Sequence, residues 1–248
     1  GRLRGRDALR VVAPQRREVP LFAGARILAA DDSPVNREVV KEALTRLGVA
    51  PTLVVDGAEA LAAFKQNPFD LVLMDCSMPV MDGFAATEAI RKLADSTRAQ
   101  TPVIALTAHV EGEDKTWKRV GMNGYLTKPF SLAALAAALG QHLTPSAGAA
   151  PVIPQEGAEA TQAYAAFDAA TLKNLAEMSA SGDDLVLRSL SLFETHAREG
   201  MIRLASAYRS RDAREIASAA HALKSMSFNI GARSLGEASA RVERSAEN

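Results

Sequence analysis

From Arg26 onward, apolar residues fall in short runs at Ile27–Ala30, Leu53–Val55, Leu71–Met74, Val103–Leu106 and Tyr125–Leu126. Between them lie stretches of helical periodicity at 34–47, 57–66, 84–94, about 112–120 and 131–142. Short apolar strands alternating with helices of this length predict βαβ units, because parallel neighbours need a crossover between them. The fold class expected over residues 24–143 is therefore α/β: a doubly wound five-stranded parallel sheet with helices on both faces.

The pattern then changes. Residues 144–166 hold eight alanines, three prolines and two glycines with no periodicity, which predicts a flexible, partly extended linker. Residues 167–248 read as helix throughout, punctuated at Ser181-Gly182, Ser210–Asp212 and Gly231, and predict an all-α helical bundle. Ahead of the α/β region, residues 1–23 carry six arginines against Asp7 and Glu18. That segment reads as a basic linker or the tail of an upstream domain, and equally as a solvated arm with no task.

Composition narrows the function classes. Hydrophobic residues make up 48% of the 248 positions and charged residues 23%, which suits globular packing. Lys plus Arg and Asp plus Glu both total 29, and this balance argues against a dedicated nucleic-acid partner. The single cysteine, Cys76, excludes an internal disulfide framework and fits a reducing compartment. No apolar run approaches the roughly 20 residues that span a bilayer, so a cytoplasmic location without direct membrane contact is expected.

In an open parallel sheet, functional groups gather at the carboxyl ends of the strands. Here the first strand ends in Asp31-Asp32, the third in Asp75, the fourth in Thr107 and the fifth in Thr127-Lys128-Pro129. Three carboxylates that close repel one another unless a cation lies among them. Hard oxygen ligands suit Mg²⁺. With Lys128 as a second positive pole, the set fits phosphoryl transfer to a carboxylate. Asp75, alone at the end of the central strand, is the best nucleophile. Asp31 and Asp32 would hold the metal, while Lys128 and Thr107 contact phosphoryl oxygens. The plainer reading is that such residues cap the following helices, as Asp32 or Ser33 would before Pro34.

The stretches Ile27–Arg37, Leu73–Gly83, Ile104–Ala108 and Gly124–Phe130 resemble the receiver domain of two-component response regulators. The resemblance covers about residues 24–143 and implies a flavodoxin-like fold with Asp75 as phosphoacceptor and Asp31 and Asp32 as the acidic pair. It further implies that the Ser77 backbone carbonyl is a metal ligand, that Lys128–Pro129 is a cis peptide, and that Thr107 and Tyr125 form the phosphorylation switch. Cys76 would face away from the site by strand alternation.

In the helical region, His221 stands apart from His109, His142 and His196. At about 100° per residue, Ile216, Ala219, Ala220, Leu223, Met226 and Ile230 lie opposite it. His221 is thus expected on the exposed side with Ala217, Ser218 and Ser225, open to a convex partner, with Lys224 adding positive charge. Phe228 falls near the same face. The run His221–Ala232 looks like a histidine phosphotransfer (HPt) domain. Such bundles carry a further long helix after the segment matching 232–247. Leu235, Ala238 and Val242 are therefore expected to lack part of their cover, in a loosened bundle or in one completed by a neighbouring chain as a dimer.

Receiver, linker and HPt in this order resemble the C-terminal part of a hybrid sensor histidine kinase. The resemblance implies a phosphorelay: a kinase phosphohistidine donates to Asp75 in a Mg²⁺-dependent step, and His221 passes the group to a downstream response-regulator receiver. No nucleotide-binding motif is seen, so ATP chemistry is not expected from these residues. Two other classes stay open at the level of sequence: an aspartyl-phosphate phosphatase, which needs a second acid where Ser77 stands, and a docking module that is never phosphorylated.

Overall fold

The computed structural model describes residues 17–107, 114–152, 167–179 and 183–247. Its α/β part runs β1 (Arg17–Leu21), β2 (Ile27–Ala30), α1 (Pro34–Arg46), β3 (Thr52–Val54), α2 (Gly57–Gln66), β4 (Leu71–Asp75), α3 (Gly83–Arg91), α4 (Ser96–Ala99), β5 (Val103–Thr107), α5 (Asp114–Arg119), β6 (Gly124–Thr127), α6 (Leu132–Gly140) and β7 (Ser146–Val152). Strands β3-β2-β4-β5-β6 form one parallel sheet in that order. The doubly wound architecture follows the βαβ spacing. β4 and β5 are buried at every position, as central strands covered on both faces must be.

Alternation along the strands divides the core in two. Ile27, Ala29, Leu73, Ile104 and Leu106 pack towards Val39, Leu44, Leu135 and Leu139 of α1 and α6. Leu28, Ala30, Val72, Met74 and Ala105 pack towards Phe64 and Ile90 of α2 and α3, and Cys76 lies in this second cluster. Helix starts are set by local chemistry: Ser33, Asp56, Asp82 and Ser131 each accept a backbone N–H three residues on, and Pro34 opens α1. The short α4, capped by Asp95, is not visible as a separate element in the apolar pattern.

The linker expected from residue 144 begins instead with a strand. β7 pairs antiparallel with β1, which lies inside the segment read as a basic arm. The pairing rests on two apolar residues of an arginine-rich stretch, Val19 and Phe22, both buried in the core against α6. An Ala- and Gly-rich strand carries no alternation of large and polar side chains, so its sequence does not announce it. The remaining linker positions, 153–166, and residues 1–16 lie outside the described residues, as does His109.

The C-terminal part is helical: α7 (Ala169–Met178), α8 (Asp183–Ser210), α9 (Ala213–Asn229) and α10 (Arg233–Glu247). The breaks fall where the punctuation predicts, and Gly231 takes φ 81° in the turn before α10. Leu235 and Ala238 are half-buried and Val242 is exposed. Val242 borders an apolar groove with Met201, Leu204, Tyr208 and Ile216.

The helices are not detached from the sheet. One apolar cluster runs from Val35 and Val39 of α1 into Met178, Leu185, Leu223, Met226 and Ile230. Around it, Arg188 on α8 bonds Glu38 at 3.0 Å and Glu42 at 3.1 Å, and the Ser179 hydroxyl donates to Glu42 at 3.0 Å. Half-exposed pairs of this kind contribute little individually, so the apolar cluster carries the contact.

Behind the strand end, α3 starts so close to β4 that a Cβ on Gly83 would meet the Asp75 carbonyl oxygen at 2.1 Å and Met74 Cγ at 2.8 Å. Gly83→Ala is expected to destabilise the fold by about 2–3 kcal/mol, the cost of overpacking against backbone, read as a lower urea midpoint.

Candidate functional site

The carboxyl ends of β2, β4, β5 and β6 bring together most of the residues singled out from sequence. Asp31, Asp32 and Asp75 each offer a carboxylate oxygen within 4.8 Å of one another. Lys128, just past β6, is buried, and its Nζ donates to Asp31 Oδ2 at 2.8 Å and to Asp75 Oδ2 at 2.6 Å. The Lys128–Pro129 peptide is cis. Thr107 is buried at the end of β5, and its carbonyl accepts the Lys128 backbone N–H at 2.7 Å. Ser77 lies on the loop after β4 and donates its N–H to Asp75 Oδ1 at 3.3 Å. Tyr125 is 43% exposed and packs its ring on Trp117, with centroids 5.6 Å apart.

One ammonium among three acids leaves the cluster net negative. Burial pushes the Asp31 carboxyl up to about 7; Asp75 and Asp32 add repulsion, and Lys128 only partly opposes it. Asp32 is raised as well, by burial and by Asp75. Burial alone would lower the Lys128 ammonium, but Asp31 and Asp75 hold its pKa well above the ordinary value. Asp32 Oδ1 is buried with no hydrogen-bond partner. An all-oxygen donor set, surplus negative charge and an unpartnered carboxylate oxygen fit a hard divalent cation such as Mg²⁺.

A second set of groups is built around α9. His221 Nδ1 lies 2.5 Å from Glu243 Oε1 on α10, and Lys224 Nζ lies 2.6 Å from Glu243 Oε2. Burial raises the Glu243 carboxyl, but the hydrogen bonds from His221 and Lys224 outweigh it and bring it down to about 2. With Nδ1 on this carboxylate, Nε2 is the ring nitrogen left for other chemistry. On the neighbouring turn, Arg203 forms a bidentate pair with Glu215 and also donates to Ser218 at 3.0 Å.

The surroundings of His221 differ from the open face expected for it. Its side chain is only 20% exposed, and Ser225 and Lys224 are buried. Glu243 of α10 covers His221 and Lys224, and α1 covers Ser225. The Asn36 amide donates to Ser225 Oγ at 2.8 Å and accepts from Asn229 Nδ2 at 2.5 Å. α1 begins directly after Asp31 and Asp32, so its bond to Ser225 brings the His221 side of α9 beside the acidic pocket. The two groups of candidate residues, on separate parts of the chain, thus face one another. Periodicity identified the polar side of α9 but carries no signal for what covers it. Glu243 lies 22 positions from His221, so no local spacing links them.

Comparison with known proteins agrees with both halves. Residues 27–140 match the response regulator receiver domain family and residues 188–248 match the Hpt domain family. Sensor protein GacS of Pseudomonas syringae pv. syringae is 44% identical over 115 residues, 45% of this chain and 13% of that protein. The histidine-protein kinase BarA of Escherichia coli K12 is 41% identical over 104 residues, 42% of this chain and 11% of that protein. The chain therefore spans about an eighth of the length of these curated relatives. A solved receiver domain of the sensor histidine kinase PA1611 from Pseudomonas aeruginosa PAO1 has a magnesium ion coordinated in its active-site cleft. It is 40% identical, covering 48% of this chain and 98% of that one, with a TM-score of 0.45. The chain carries a response regulator receiver domain over residues 27–140, followed by an Hpt domain over residues 188–248.

Proposed function

We propose that this chain performs two consecutive steps of a phosphorelay, accepting a phosphoryl group on Asp75 and passing it to His221. The observation that carries the reading is the packing of the His221 face of α9 on α1, beside the pocket of Asp31, Asp32, Asp75 and Lys128. A donor phosphohistidine of a kinase domain supplies the group, and a separate receiver takes it from His221. The functional units are residues 24–143 and 167–248, with 144–166 between them.

Asp31, Asp32, Asp75 and the Ser77 backbone carbonyl would hold Mg²⁺, which when bound neutralises phosphoryl oxygens during transfer. Lys128 releases its grip on the carboxylates to pair with the incoming group, and Thr107 offers its hydroxyl to the same oxygens. Tyr125, on the half-exposed side of β6, couples that contact to the surface through Trp117. On the acceptor side, Glu243 keeps the His221 proton on Nδ1, so that neutral Nε2 attacks phosphorus. Lys224 lies beside the ring to offset phosphoryl charge. No helix among the described residues is long and apolar enough to cross a membrane, and the reading needs none.

Acetyl phosphate with Mg²⁺ is expected to add one phosphate to the wild-type chain. The label should first be hydroxylamine-sensitive, as an acyl phosphate is, and then alkali-stable, as phosphohistidine is. Asp75→Ala abolishes labelling, whereas His221→Ala keeps the acyl phosphate and loses the alkali-stable fraction; intact mass and stability of the label distinguish the two. Persistent alkali-stable label in His221→Ala would falsify the second step.

Glu243 yields a pH prediction. Its folded pKa is depressed, so its contribution to stability is complete above the ordinary carboxyl value of 4.5 and fades as pH falls towards about 2. Glu243→Gln should flatten the stability profile in that window, measured by urea unfolding at successive pH values. At pH 7 the same variant should slow transfer to His221 by roughly 10-fold, since a neutral amide holds the imidazole proton less firmly.

A further inference from the structure

We propose that Asn36 is a positioning residue for the Asp75-to-His221 step, a two-way amide clamp that sets the register of α9 on α1. The proposal rests on the relay reading and adds to it the device that aligns donor and acceptor within one chain.

His221, Ser225 and Asn229 recur at intervals of four on α9, so they occupy one arc of about 80°. Two of the three are bound to a single side chain. Asn36 gives its N–H to Ser225 Oγ and takes the Asn229 amide N–H on its Oδ1, and it is 1% exposed. An amide used in both directions has a polarity. A slip of α9 by one turn would leave a buried donor or acceptor unpaired, at a cost the surrounding apolar cluster cannot recover. The apolar cluster that contains Val35, Val39, Leu223, Met226 and Ile230 is non-directional and tolerates sliding; the amide pair does not.

The clamp lies close to the chemistry. Asn36 is three residues after the Ser33 that caps α1, and the adjoining strand end carries Asp31 and Asp32. Fixing Ser225 therefore fixes His221, one turn earlier on α9, relative to the acidic pocket. In the transfer, the bond between phosphorus and the Asp75 carboxylate oxygen breaks as the bond from His221 Nε2 to phosphorus forms. Asp75 returns to a free carboxylate, and the imidazole proton remains on Nδ1 against Glu243. Asn36 touches none of the reacting atoms. Its effect is to hold attacker and leaving group in line, where small misplacements are costly.

The full chain is labelled with radioactive acetyl phosphate and Mg²⁺, and the conversion of acyl phosphate to alkali-stable label is followed with time. Asn36→Ala and Asn229→Ala are expected to be labelled at Asp75 at the wild-type rate and to convert roughly 10- to 100-fold more slowly. The double variant should be no slower than the worse single one, since either change removes the shared contact. Conversion in the wild type should be independent of protein concentration. Wild-type conversion in both single variants, or additive losses in the double variant, overturns the clamp. Loss of Asp75 labelling in Asn36→Ala also overturns it, because Asn36 would then support the pocket and not the register. Absence of alkali-stable label in the wild type instead sinks the underlying relay reading.

Discussion

Three carboxylates held within 4.8 Å of one another at the end of a buried sheet are the constraint around which this molecule is arranged. Isolated, they would expel one another or take up protons; the buried Lys128 ammonium, bonded to two of them, keeps the cluster together. Lys128 reaches that position because β6 is the outer strand beside β5 and the chain turns inward directly after it. Gly83 serves the same end from below, since only a residue without a side chain lets α3 begin against the Asp75 carbonyl.

The second half of the molecule answers the first. α9 presents two sides: an apolar one, with Ala219, Leu223, Met226 and Ile230, and a polar one, with His221, Ser225 and Asn229. Both are in use. The apolar residues join helices of the bundle to α1 in one cluster, and Ser225 and Asn229 meet Asn36. Glu243 then fixes one nitrogen of the imidazole from the far side, so the histidine is oriented by its own domain and aligned by the neighbouring one.

Much of this was legible along the chain. The strand-end rule found Asp31, Asp32, Asp75, Thr107 and Lys128 because parallel strands must all point their carboxyl ends to one rim. Helical periodicity found His221 because an apolar stripe defines its own opposite. Asn36, Glu243 and the burial of Ser225 were not legible, for a common reason. A repeat along one helix reports which side is polar, but the identity of the covering element is settled by contacts between residues far apart in sequence. The β1–β7 pair is hidden for a different reason: one strand lies in an arginine-rich stretch and the other among small residues, so neither alternates large apolar with polar side chains.

That pair changes how the receiver is wired to its neighbours. With Arg17 opposite Val152, the polypeptide enters and leaves the α/β part side by side, at one corner. A strand pair that closes these two points on each other also couples them: peeling either strand away strips the other's backbone groups of their partners, so the two come loose together or not at all.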